Sequence, residues 1–175
     1  FQYISMSISE IIRTKRDVRE FSSQPVSKED KLAILEAARM AGSGLNSQHW
    51  RFILIDDKSE LEALARLSTT GDWVASANFA VIILTEKNRP YHALDAGRAL
   101  TNMQLEAWSR GIVSCIYTGF KEAEMRRRYG IPEKYSIDVV VGFGYPARKI
   151  VGRKNRKPLE ELAYSNKFGQ PLNIK

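Results

Sequence analysis

Three short stretches hold the side chains best suited to chemistry. Residues 14–21, TKRDVREF, gather Lys15, Arg16 and Arg19 around Asp17, and residues 153–158, RKNRKP, add Lys154 and Arg156. Between them, AGSGLNSQHWRF at 41–52 sets Ser43, Asn46 and Gln48 in a row where a plain connection needs only a turn residue or two. Arginine offers paired donors to phosphate oxygens. Asn and Gln present a donor and an acceptor side by side, matching the edge of a pyrimidine-like ring. Two separated cationic groups and one amide-rich loop therefore suit a phosphorylated ligand with a flat heterocycle. The competing reading is a solvated basic face, with the first group also placed to complement a helix C-terminus.

Other chemistries fit less well. His49 and His92 lie far apart with no Cys partner or His-x-x-x-His spacing, so a zinc site lacks its ligands. No G-x-S-x-G elbow accompanies a serine triad. Gly142, Gly144 and Ala147 match G-x-G-x-x-A, but Pro146 and a basic loop stand where the following helix must begin. The net charge of +7 raises nucleic acid as a ligand. No helix-turn-helix, RNA-recognition or zinc-finger pattern accompanies that charge, so no nucleic-acid partner is expected. The lone Cys115 has no intrachain disulfide partner, which fits a reducing cytoplasm.

These stretches must be positioned by a sheet and its helices. Ser7 with Glu10 and Ser27 with Asp30 read as capping boxes opening two helices. The second places Leu32, Leu35, Ala38 and Ala41 on one face and stops at Gly42. Strand-like runs cover 52–55, 79–85, 112–118 and 137–141. Asp57 caps a helix around 61–67, a long helix runs over 91–110, and another covers 123–129 before Gly130. Pro158 opens a last short helix. Ala96, Gly97 and Ala99 suggest a second helix packed close to the long one, in the core or across a subunit interface. No apolar run is long enough to span a membrane, and FQYISMSI lacks the layout of a secretory signal. The pattern reads as one domain over 1–175, with 1–5 a remnant of cloning or processing and 165–175 a tail.

The order KRDVREF, then PV and a helix, then AGSGLNSQHWRF, resembles the FMN-dependent nitroreductase family, which shows R-R-S-x-R-x-F, P-V and A-P-S-x-x-N-x-Q-P-W-x-F at these spacings. The resemblance continues through DAGRALTNMQLEAWSRGI, CIYTGF, YGIPEKY, GFGYP and RKNRKPLEEL, nearly the whole chain. It implies an α+β sandwich with a central mixed sheet flanked by helices, and an intertwined homodimer with two FMN sites at its interface. It also implies a ping-pong reaction: NADH or NADPH reduces the flavin, and a nitro compound or quinone is the electron acceptor.

Residue by residue, the resemblance sets Lys15, Arg16, Asp17 and Arg19 at the FMN phosphate and ribityl chain, with Lys154 and Arg156 as a second phosphate grip. Ser43, Asn46 and Gln48 match the loop that meets the flavin from the partner subunit. Thr118 and Gly119 match the strand end beside the isoalloxazine ring. No catalytic acid or base is implied, because the cofactor carries the chemistry. Asp17 stands in place of the family's serine and is expected to orient Arg16 or a ribityl hydroxyl. Gly42 and His49 replace prolines, which suggests a less rigid loop. KRDVREF also resembles the flavin-cleaving dimethylbenzimidazole synthase branch, an alternative activity. A non-catalytic protein that binds flavin or nucleic acid on the basic face is the alternative of another kind.

Overall fold

The computed structural model describes residues 5–175; residues 1–4, most of the stretch expected to be a remnant, lie outside the described residues. Helix α1 (Ile8–Thr14) opens on a complete capping box: Glu10 N–H donates to the Ser7 hydroxyl, and Ser7 N–H donates to the Glu10 carboxylate at 2.7 Å. Helix α2 (Lys28–Arg39) has only half of its expected box. The Ser27 hydroxyl accepts from Asp30 N–H, while the Asp30 carboxylate turns to Arg110 at 2.8 Å. A charged partner on a neighbouring helix outcompetes the local bond.

Strand β1 (Arg51–Ile55) leads through α3 (Lys58–Leu67), capped by Asp57, to β2 (Phe79–Glu86). Helix α4 (His92–Ser109) then crosses to β3 (Val113–Tyr117), and α5 (Glu122–Tyr129) leads into β4 (Tyr135–Gly144). Gly130 ends α5 at φ 61°, the left-handed C-terminal cap that glycine adopts without a Cβ penalty. Among the described residues, no helix is long and apolar enough to cross a membrane.

The sheet order is β1-β2-β4-β3, and all three ladders are antiparallel. This corrects the mixed sheet that the resemblance implied. Strands β2 and β3 do run the same way, but β4 inserts between them and pairs antiparallel with both. Parallel pairing survives as an isolated bridge between Asp17 and Ser114.

Strand β2 is apolar from Phe79 to Leu84, where it is buried on both faces. Phe79, Val81 and Ile83 face a core shared with α2 and α4. Ala80, Ile82 and Leu84 face a second core with Leu61 and Leu64 of α3 and Met125 of α5. A bulge opposite Ile83 and Leu84 leaves Asp138 outside the ladder, where Thr85 donates to its carboxylate at 2.5 Å. On α2, Ile34 and Ala38 are the buried residues, whereas Leu32 is 54% exposed. The expected stripe through Leu32 is thus rotated, because α2 meets α4 through the face that carries Ala37, whose carbonyl accepts from Asn102.

In α4, Ala96, Ala99, Met103 and Ala107 are buried. A Cβ on Gly97 would meet no atom of the described residues within 4 Å, so Gly97 lies on the outer face. The C-terminal stretch folds back on itself, with Tyr164 bridged to Pro171, while Leu159, Leu162 and Phe168 stay exposed.

Among the described residues the Tyr117 hydroxyl is buried without a hydrogen-bond partner, and burial pushes its pKa up. Because an unmatched buried hydroxyl carries its desolvation penalty, Tyr117→Phe should be neutral or stabilise the fold by up to about 1 kcal/mol in urea unfolding.

Candidate functional site

The basic segment docks on the free edge of β3. Lys15 closes α1, the chain becomes extended, and Val18 N–H donates to the Ser114 carbonyl at 2.9 Å beside the Asp17–Ser114 bridge. Side chains alternate along an extended segment, so Lys15, Asp17 and Arg19 share one side. Lys15 Nζ donates to Asp17 Oδ1 at 2.5 Å. The buried Gln104 of α4 donates to Asp17 Oδ1 at 3.3 Å and to Ser114 Oγ at 3.0 Å. Arg19 Nε approaches Cys115 Sγ at 3.4 Å. Arg16 turns the other way and donates to the Val151 carbonyl. The expectation that Asp17 orients Arg16 is therefore corrected: its protein partners are Lys15 and Gln104, because alternation separates it from its neighbour.

Lys154 joins this group, donating to the Ile12 carbonyl at 2.6 Å. Its pKa lies below the ordinary lysine value, first through desolvation and then through the charges of Arg156, Lys15 and Arg16, with Asp17 opposing. Cations are crowded here beyond what one carboxylate balances. Among the described residues no carboxylate pairs with Arg16, Lys154 or Arg156. Two clefts meet at Ile150. One, of about 600 Å³, is lined by Asp17, Arg19, Cys115 and Arg148; the other, of about 550 Å³, by Arg13, Arg16, Trp108 and Lys154.

Thr118 and Gly119 sit just past the far end of β3, about 13 Å along the strand from Ser114. They are tied to the loop after α3, where Thr69 N–H donates to the Gly119 carbonyl at 2.8 Å. Thr118 is exposed.

The amide-rich loop stands elsewhere, at the N-terminal end of α4. Asp95, which holds it, is nine residues and roughly 13 Å along the helix from Gln104. Ser43 Oγ accepts from Gln48 N–H at 3.0 Å, and Gln48 Nε2 donates to the Asn46 carbonyl at 3.3 Å. Leu45, Asn46 and Gln48 all have φ near +50°, a conformation costing roughly 1–2 kcal/mol for each non-glycine residue. Something must hold them there. Gly44 N–H and His49 Nε2 both reach the buried Asp95 carboxylate, and Trp50 Nε1 donates to the Asp95 carbonyl at 3.0 Å. Hydrogen bonds thus anchor the loop beside Gly42 and His49, the positions where the resemblance sets prolines.

One chain therefore collects Lys15, Arg16, Asp17, Arg19, Lys154 and Arg156 around one edge of the sheet. It leaves Thr118 and Gly119 further along that edge, and presents Ser43, Asn46 and Gln48 at the other end of α4. Sequence reading passed over Gln104, Ser114, His49 and Asp95 as a set. The available signal was polarity in apolar surroundings: Asp95 precedes Ala96 on the buried stripe of α4, and Ser114 interrupts IVSCIYT.

With that geometry established, comparison with known proteins places the chain. The Nitroreductase family profile matches residues 12–71 and 68–145. A protein of Archaeoglobus fulgidus, provisionally named NADH dehydrogenase/NAD(P)H nitroreductase, is 32% identical over 146 residues, covering 78% of this chain and 83% of that protein. A protein of Methanothermobacter thermautotrophicus with the same provisional name is 30% identical over 151 residues, covering 81% and 78%. The solved FMN-dependent nitroreductase of Clostridium difficile R20291 superposes with a TM-score of 0.83 at 25% identity, covering 90% of this chain and 98% of that one. With profile, curated relatives and fold in agreement across most of its length, the chain belongs to the Nitroreductase family.

Proposed function

We propose that this chain is an FMN-dependent oxidoreductase that works as a homodimer, takes reducing equivalents from NADH or NADPH and passes them to a nitro compound or a quinone. FMN, when bound, supplies the hydride chemistry linking the two half-reactions. The observation that carries the reading is the crowding of Lys15, Arg16, Lys154 and Arg156 at the edge of β3, with Lys154 held below its ordinary pKa by burial and by like charge. A phosphate dianion relieves that crowding. Lys15, Lys154 and Arg156 hold the phosphate, Asp17 accepts from a ribityl hydroxyl, and Arg19 lies along the cleft toward the ring. Thr118 and Gly119 flank the ring at the strand end.

Asn46 and Gln48 meet the ring from a second copy, since their own chain holds them at the other end of α4. An outer face suited to that second copy is present: Gly97 and Thr101 line an open groove with Met40 and Leu94, which are 66% and 65% exposed. The coupling of flavin to dimer follows by mass action, because a ligand that binds the paired state stabilises it.

Anaerobic addition of NADH or NADPH should bleach the flavin absorbance of the purified protein, and a quinone or nitroaromatic should restore it. A colourless protein that fails to retain added FMN would overturn the reading in favour of a non-catalytic basic face.

The resemblance of the stretch around Asp17, KRDVREF, to the flavin-cleaving branch keeps one second reading, the flavin-cleaving activity. Reduced FMN and oxygen should then give dimethylbenzimidazole, and turnover without that product removes this reading. Under the reductase reading, Asp17→Ser frees Lys15 and removes a negative charge near the phosphate. Serine keeps an acceptor for the ribityl hydroxyl, so FMN affinity should hold or rise modestly, by up to about tenfold, the equivalent of 1.4 kcal/mol. Fluorescence titration of the apoprotein reads this directly.

A further inference from the structure

We infer that the buried His49–Asp95 pair is the positioning device of this site, setting the backbone of the Gly44–Gln48 loop so that Asn46 and Gln48 are presented in one fixed arrangement. The inference rests on the reading of that loop as a flavin contact, and deepens it by naming the residues that act through the loop rather than on the ligand.

The hydrogen bonds leave one solution for the histidine. Glu86 N–H, at the end of β2, donates to His49 Nδ1 at 3.2 Å. That nitrogen is therefore an acceptor, and the ring proton sits on Nε2. Nε2–H then donates to Asp95 Oδ2 at 2.9 Å. Both side chains are essentially excluded from solvent, at 0% and 1% exposure. The same carboxylate accepts from Gly44 N–H, at 3.0 Å to Oδ2 and 3.3 Å to Oδ1. Arg98 approaches Oδ1 from the solvent side at 3.6 Å. Asp95 thus ties the start of the loop to its end, and the Glu86 amide ties that end to the sheet.

Packing enforces the same path. A Cβ on Gly44 would lie 2.6–2.8 Å from the Tyr91 ring, and Tyr91 meets His49 edge-on with centroids 6.0 Å apart. Between the two anchors stand Leu45, Asn46 and Gln48, three non-glycine residues with positive φ. Leu45 is 92% exposed, so its own burial does not hold it there. Non-glycine residues persist in such conformations where the surroundings over-determine them, and they cluster at binding sites. The surroundings here are the two ends fixed by Asp95.

Asp95→Leu tests this at nearly constant side-chain size. It removes the acceptor that Oδ2 gives to both Gly44 N–H and His49 Nε2–H, so both ends of the loop lose their anchor. FMN should bind the Asp95→Leu dimer at least tenfold more weakly, with sedimentation unchanged. Amide exchange should quicken at 44–48 and stay slow in the middle of α4. Asp95→Asn keeps a carbonyl oxygen that can take the place of Oδ2 and accept from both donors, so it should bind FMN within about threefold of wild type.

Binding by Asp95→Leu within twofold of wild type, or binding by Asp95→Asn as weak as by Asp95→Leu, would overturn the inference. Nitrogen-15 NMR of the wild-type apoprotein tests it without any variant, since His49 must show the neutral Nε2–H tautomer. A proton on Nδ1 would overturn the positioning role and leave the FMN reading standing. Wild-type protein that shows the Nε2–H tautomer and yet binds no FMN would overturn the functional reading instead, and the positioning role with it.

Discussion

Lys154→Ala or Arg156→Ala should weaken FMN binding by more than tenfold, while Arg127→Ala on α5 leaves it unchanged. A hydrogen bond to a charged group contributes about 1.5–3 kcal/mol, or roughly tenfold to a hundredfold in affinity. Exposed ion pairs contribute about 0–1 kcal/mol, so a merely solvated basic face gives small and equal losses in all three variants. Lys154 and Arg156 lack carboxylate partners among the described residues, and Lys154 already feels Arg156, Lys15 and Arg16. Arg127 is exposed and belongs to the other basic cluster, at 126–128. Riboflavin, lacking the phosphate, should bind wild type more weakly and be nearly indifferent to either substitution. Titration of the apoprotein followed by flavin fluorescence measures both ligands. Equal, slight losses in the three variants would remove the phosphate grip from these residues.

Phe79→Ala should cost about 3–5 kcal/mol of folding stability, the range for emptying a large buried aromatic site. Phe79 is fully buried, pairs across the ladder with Phe143, and stacks on that ring with centroids 4.7 Å apart. Its ring belongs to the core that joins β2 and β4 to α2 and α4. Loss of packing there loosens α4, which carries both Asp95 and Gln104, so both halves of the candidate site are affected at once. Urea unfolding of the apoprotein at fixed concentration reads the change as a lower midpoint with an unaltered slope. Leu45→Ala, at a 92% exposed position, should change the same midpoint little.

What the sequence disclosed, and what it hid, follows the range of the interactions involved. The Ser7–Glu10 box, the Asp57 cap and the Gly130 terminus depend on neighbours within four residues, and each was readable. The continuous apolar run of β2 was readable as a strand because burial on both faces leaves no polar alternation. The insertion of β4 between β2 and β3 was not, since apolar runs do not say which strand lies beside which.

The half-formed Ser27 box failed because Asp30 found Arg110, 80 residues away. Lys15, Asp17 and Arg19 could be grouped by their spacing in one extended segment. Their partners Gln104, Ser114 and Cys115 could not, since the fold supplies them from two later elements. The same holds for His49 and Asp95, 46 residues apart. Locally, His49 is only a missing proline; in the fold it is an anchor.

The central claim is that two copies of this chain build each FMN site. Sedimentation velocity recorded at both protein and flavin wavelengths tests it most directly. The account predicts one species of two chains that carries two FMN, with flavin signal lost from any dissociated chain. A single chain sedimenting with tightly bound FMN, or a dimer that takes up no FMN, would contradict it.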